Sequence, residues 1–447
     1  MFGLHSTQFA FVFCINNLWN TGGQDIHMNK AILVAGLAWG DEGKGAAVNY
    51  LCREYGAKLI VRYNGGCQCA HNVVLKDGMH HIFAQFGSGT LIPEVRTFLS
   101  RFMMINPVSM LHEAEVLKNT GIDDPFNSLT VSDKCLVVTP FDKAMNVIRE
   151  KVNKHGSCGV GIGETRYYHN TYANDALFAG DLRDKTICSL KLKLKRLRIH
   201  DEAERLYKQS LTGNLYFPSF IDDLVEQYYS WSYTVFVHNW LLKTLIEWNG
   251  KPESVIFEGA QGILLDERDE FLPHNTWSNT TFENADTLLK ETKFDGEVTR
   301  IGCIRSYMTR HGVGPFPTED KKLSKITELH NNDSGFQGAF RRGHFDMASV
   351  GHALDICGGV DEIHMSHLDQ LPKIYPGVNE DAYISNIERL LETPITVTGH
   401  GPTAEDRRKR DVKGIVARRR STQERARISS GTERQTAIGE SISTRQT

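Results

Sequence analysis

The chain is poor in cysteine and has no long apolar run, and each shortage removes a class of protein. Nine cysteines are scattered over 447 residues, an odd count without the dense, regular spacing of a secreted disulfide framework, so a reducing cytoplasm is the expected compartment. No C-x-x-C pair occurs. Cys67-Gln68-Cys69 beside His71 is too sparse for a four-ligand zinc site, which draws its second pair from a distance, and these thiols are read as lining a loop. The apolar stretch from Phe9 to Cys14 lacks a basic flank and is far too short to span a bilayer, so neither a secretion signal nor a membrane span is expected. A dominant charge is missing too: the net charge of -3 argues against a general nucleic-acid binder. No internal repeat is found.

What is present is an average globular composition, 40% hydrophobic and 23% charged, which speaks against general disorder. Three short runs are almost wholly apolar: Ala31 to Ala35, Leu59 to Tyr63 and Val255 to Phe257. Such runs read as strands buried on both faces of a sheet. Each ends in glycine and polar residues, and in mostly parallel α/β sheets ligands bind at that edge. From about Leu182 to Lys243, Leu, Lys, Glu and Tyr recur at helical spacing, which predicts a helical insertion serving as scaffold. The expected organisation is an N-terminal extension over 1–27, a catalytic unit over 28–406 and a basic tail over 407–447. In that tail Arg407-Arg408-Lys409-Arg410 and Arg418-Arg419-Arg420 sit among polar residues, the composition of a solvated, disordered segment or of a nucleic-acid-binding arm.

The densest chemical signal is Gly40-Asp41-Glu42-Gly43-Lys44-Gly45, after a strand and before a helix. Glycines let backbone N–H groups approach phosphate oxygens, the helix N-terminus favours negative charge and the lysine adds a cation. This predicts a nucleoside triphosphate site. A standard Walker A loop is excluded: Ala38 stands where that spacing wants glycine, and Gly45 follows the lysine where Ser or Thr would bind magnesium. Another group must hold the metal, and Asp41 is suited to that or to accepting a proton.

Leu37 to Gly45 resembles the Q-W-G-D-E-G-K-G signature of the adenylosuccinate synthetase family. Four further motifs follow in that family's order: Arg62-Tyr63-Asn64-Gly65-Gly66 with Ala70-His71, Phe257 to Gly262 with Leu264-Leu265-Asp266, Ser278 to Thr281, and Thr309 to Glu319. The resemblance covers about residues 30 to 406 and implies an α/β fold: a mostly parallel central sheet flanked by helices, with P-loop-related nucleotide binding. It also implies GTP-dependent ligation of L-aspartate to C6 of a purine nucleotide through a 6-phosphoryl intermediate. Asp41 then matches the base, and His71 the acid that acts on the transferred phosphoryl group. Gly40, Glu42, Gly43, Lys44, Gly45, His367, Asp369 and Gly401 match GTP contacts, with Asp369 reading guanine. Asp41, Gln68, Cys158, Gln261 and Thr276 match positions that hold the purine nucleotide, Arg341 one that clamps aspartate, and Asp41 with Ala70 those that bind Mg2+. A cytoplasmic homodimer working on GTP, L-aspartate and a purine nucleoside monophosphate is the implied form.

Departures from the family cluster around the substrate purine. Its T-T-G-R-G-I-G-P reads Ser157-Cys158-Gly159-Val160-Gly161-Ile162-Gly163-Glu164 here, Ala339 replaces an arginine near the ribose and aspartate, and Asn174-Asp175 fall where arginines precede G-D-L. His367 replaces a guanine-site lysine. Loss of a ribose-side arginine suits a deoxyribonucleotide, because no buried donor is left without its acceptor. IMP, dGMP (as in related phage enzymes) and a binding-only homologue that no longer turns over all stay open; Asp41, Lys44 and His71 speak against the last.

Overall fold

The computed structural model describes residues 30–153, 156–217, 219–238, 254–326, 328 and 338–412. Its centre is a ten-stranded sheet of β1 (Lys30–Gly36), β2 (Leu59–Arg62), β3 (Arg96–Leu99), β4 (Leu129–Val131), β5 (Phe236–Val237), β6 (Ser254–Glu258), β7 (Glu297–Arg305), β8 (Glu362–Ser366), β9 (Ile395–Gly399) and β10 (Arg407–Lys409). The spatial order is β10-β9-β8-β7-β1-β6-β2-β3-β4-β5. Every pairing is parallel except β9 with β10. The three runs expected as strands are β1, β2 and β6, side by side and almost wholly buried.

Because successive strand residues face opposite sides, β1 serves two cores. Ala31, Leu33 and Ala35 pack with Leu288 and Leu354 on one face, while Ile32 and Val34 pack with Ala47, Val48 and Leu51 of helix α1 (Lys44–Glu54) on the other. From β1 the chain fills one side of the sheet and later the other, so the order reverses there and a crevice opens at the carboxyl ends of the strands.

The helical insertion is real, with helices over Lys185–Tyr207 and Ser219–Thr234, but it closes on strand β5 at the sheet edge. The expected run continues into residues outside those described. The basic tail needs a larger correction, because its first residues form β10 rather than solvated coil. The partners come from far away: Lys409 bonds Glu54, and Arg410 donates to Glu388 at 2.7 Å. Residues 1–27, and those past 412, lie outside the described residues. No described helix is long and apolar enough to cross a membrane, and all eight described cysteines are free.

Candidate active site

At the carboxyl edge of the sheet lies one cavity of about 1140 Å³. Of the residues expected from sequence to bind or react, Gly40, Asp41, Gly43, Lys44, Gly45, Gln68, Ala70, His71, Cys158, Gln261, Thr276, His367, Asp369 and Gly401 all line it. Glu42 and Arg341 do not.

The loop after β1 is held from beneath. Glu42 is buried, accepts from the backbone N–H of Gly40 at 2.7 Å and of Ala38 at 3.2 Å, and pairs with Lys44 at 2.6 Å. Its carboxylate is therefore a buttress inside the loop and does not face the cavity. That pairing outweighs the burial that would lower the lysine, and Lys44 ends above its ordinary pKa. Asp41 adopts a left-handed backbone at φ 63°, a strained choice for a non-glycine residue that turns its carboxylate to the cavity. Gly45 has a spatial reason to be glycine: a Cβ there would stand 2.9 Å from the His71 Cβ and 3.0 Å from the Asn72 carbonyl oxygen. The serine or threonine of a Walker A loop cannot fit, because the strand His71–Val74 packs directly against the start of α1.

His71 and Asp41 share the cavity but have separate partners. The His71 ring is 2.5 Å through Nδ1 from Glu258 at the end of β6, and its Nε2 has no partner among the described residues. Burial lowers the His71 pKa more than Glu258 raises it. Burial would raise the Glu258 carboxyl, but the Arg62 charge and the bonds from His71 and Ser88 outweigh it and hold it at about 2. Asp41 faces His311 at 3.3 Å. Burial raises the Asp41 carboxyl, yet His311, Arg305 and Lys44 together bring it below its usual range, so it is anionic at neutral pH. Arg305 closes β7, donates to the Asp41 carbonyl oxygen at 3.1 Å and bonds Tyr307 and Glu328.

In the same cavity, the side-chain oxygens of Gln68 and Gln261 are buried without a hydrogen-bond partner among the described residues. Two such orphans facing one cavity are costly unless a ligand supplies donors. His367, also left-handed at φ 63°, is held down to about 3 by burial and the nearby Arg305 charge. Arg341 instead reaches Glu319 at 2.9 Å and the Gly314 carbonyl oxygen at 2.9 Å. It sits on the strand Phe340–Gly343 opposite Met308–His311, and the preceding Gln337 lies outside the described residues. Four groups were not singled out from sequence: Glu258, Arg305, His311 and Arg407. Glu258 and His311 stand inside the quoted motifs, where a buried acid beside the motif histidine and a histidine in T-R-x-G were the available signals. Arg305 carried none.

A left-handed glycine loop at a sheet switch point, with an anionic carboxylate and a carboxylate-held imidazole around one cavity, fits a nucleotide-dependent transferase or ligase of the α/β class. Comparison narrows it. The adenylosuccinate synthetase family description matches residues 33–376. The adenylosuccinate synthetase of Thermoplasma volcanium is 32% identical over 352 residues, 77% of this chain and 76% of that protein. Two solved structures share the fold. The Plasmodium falciparum adenylosuccinate synthetase has TM-score 0.69 at 21% identity, covering 85% of this chain and 99% of its own. The succinoaminodeoxyadenylate synthetase of cyanophage S-2L has TM-score 0.60 at 18% identity, covering 88% and 99%. The chain belongs to the adenylosuccinate synthetase family. It is a ligase that forms a C–N bond, joining aspartate to a purine nucleotide with GTP as the energy donor.

Proposed function

We propose that the purine nucleotide is IMP and the product adenylosuccinate, with Asp41 as base and His71 as the group acting on the phosphoryl. Asp41 takes the N1 proton, the 6-oxygen attacks the γ-phosphorus and GDP leaves. The aspartate amine then forms its bond to C6 as the C6–O bond breaks and phosphate departs. The observation that carries this reading is the convergence of the Asp41 carboxylate and the Glu258-held His71 ring on one cavity beside Lys44. A triphosphate adds negative charge to that of Glu258 and so favours the imidazolium, whose Nε2–H can donate to the moving phosphoryl. Gln68 and Gln261 offer their orphaned oxygens to the purine nucleotide, and Thr276 and Cys158 line the same cavity. Gly40, Gly43, Lys44 and Gly45 cradle the phosphates, while His367, Asp369 and Gly401 surround the guanine. Arg341 clamps the aspartate carboxylate after exchanging Glu319 for it.

Magnesium fits this donor set. Among the described residues no group of three His, Cys, Asp or Glu could hold a metal, and Mg2+ typically takes one or two protein ligands and completes its shell with phosphates and water. Asp41 and Ala70, which both line the cavity, would hold the ion, and it would supply neutralisation of phosphate charge. The protein acts as a cytoplasmic homodimer in this reading. Ile187, Leu190 and Leu197, exposed along one stripe of the helix Lys185–Tyr207, supply an apolar face for the partner.

A second reading, dGMP as substrate, is favoured by Ala339, which is exposed where the family carries an arginine. The cyanophage enzyme of the same fold was solved with dGMP and with dATP as energy donor. Phosphate release with GTP, magnesium and aspartate, measured in parallel with IMP and dGMP, decides between them. Release with neither would leave the binding-only reading.

A further inference from the structure

Arg407 sits within the basic cluster that opens the expected tail, and β10 carries it back to the phosphate loop. Its Nη2 donates to the Gly43 carbonyl oxygen at 3.3 Å, and the residue lines the same cavity as Gly43, Ser366 and His367. Gly43 is the residue from which α1 begins, so this guanidinium stands where backbone N–H groups and helix dipole already favour an anion.

Four neighbouring cations are compensated. Lys44 pairs with Glu42 at 2.6 Å, Arg305 with Glu328, Lys409 with Glu54, and Arg410 with Glu388 at 2.7 Å. His367 stays neutral. Arg407 alone in this set has no carboxylate partner among the described residues, and its buried Nε has no acceptor. Burial lowers its pKa, with no acid near enough to reverse the effect. A half-buried cation with no counter-charge among the described residues, its Nε shut off from solvent, is costly to keep. Strand alternation explains the aim: Arg407 and Lys409 share one face of β10, lie along α1 and reach its first and last turns, Gly43 and Glu54.

We infer that Arg407 is a triphosphate-binding residue of this site, its guanidinium contacting a phosphoryl oxygen of GTP beside Gly43. It supplies the loop with the free positive charge that Lys44, tied to Glu42, does not. This rests on the assignment of GTP to the loop, and the test separates the two.

Arg407→Met keeps the aliphatic stem and removes the charge. The GTP KM, and the GTP dissociation constant by titration, should rise about 10- to 100-fold, as for a lost bond to a charged group. The purine nucleotide and aspartate KM values should stay within twofold. Arg407→Lys should recover part of the loss, and Lys409→Met, on the same strand face, should leave GTP binding unchanged. The melting temperature of nucleotide-free Arg407→Met should equal or exceed the parent's, while the rise produced by GTP shrinks. A GTP KM within twofold of the parent overturns the inference. So does a nucleotide-free protein that melts lower with all three KM values raised together, since that describes a structural strut. If the parent protein shows no GTP-dependent thermal shift, it is the assignment of GTP to the loop that fails.

Discussion

Changing Glu258 to glutamine keeps volume and shape and removes one buried charge. Glu258 is fully buried, accepts the His71 Nδ1–H at 2.5 Å and the Ser88 N–H at 3.0 Å, and opposes the buried Arg62. Its carboxyl is held at about 2 against an ordinary 4.5, which corresponds to about 3 kcal/mol of stability at neutral pH. The folded value lies below the unfolded one, so this contribution is complete above about pH 4.5 and is lost as pH falls towards 2. Glu258→Gln should therefore cost about 3 kcal/mol by urea denaturation at pH 7, with a gap that narrows steadily below pH 4.5. The same change removes the anion that favours the His71 imidazolium, and kcat should fall about 10²- to 10⁴-fold. A variant as stable as the parent at pH 7 would refute the electrostatic account of the pair. Unchanged kcat would refute the role given to His71.

Gly45→Ala places a methyl 2.9 Å from the His71 Cβ. It should destabilise by about 1–3 kcal/mol and lower kcat more than any KM; a fully active variant contradicts the packing argument. Asp142→Asn strands Lys195, whose Nζ lies 2.9 Å from the carboxylate in a buried pair. A loss of about 3–5 kcal/mol in denaturation is expected, and a loss below about 1 would count against it. Glu164 is pushed up to about 7 by burial, against the pull of Arg149 at 2.9 Å. Its charge therefore costs stability as pH rises from about 4.5 through 7, so Glu164→Gln should match the parent at pH 4 and exceed it by about 1–3 kcal/mol at pH 8. Equal stability at both pH values would show the carboxyl to be unstrained.

Much of this was legible because buried parallel strands are near-continuous apolar runs and ligand residues gather at their carboxyl ends. β1, β2 and β6 stand where their apolar runs predict them, and the glycine loop is where its spacing places it. Partnership was not legible. His71 meets Glu258 across 187 residues and Lys409 meets Glu54 across 355, and no local pattern marks such pairs. The same blindness misreads the row Arg407 to Arg410, because composition reports like charges and omits the acids that Lys409 and Arg410 meet on other elements. β5 escapes detection for a different reason: two residues at the end of a helical stretch carry no period of their own. Glu42 shows the limit of motif reading, since a residue in the signature can serve the loop's shape while its neighbours face the ligand.

On the proposed route the 6-oxygen of the purine nucleotide leaves as phosphate after taking the γ-phosphoryl group of GTP. Nucleotide labelled with ¹⁸O at that position, turned over with GTP and aspartate, should place one labelled oxygen in each phosphate released. Unlabelled phosphate formed at the same rate as the aspartyl product would contradict it.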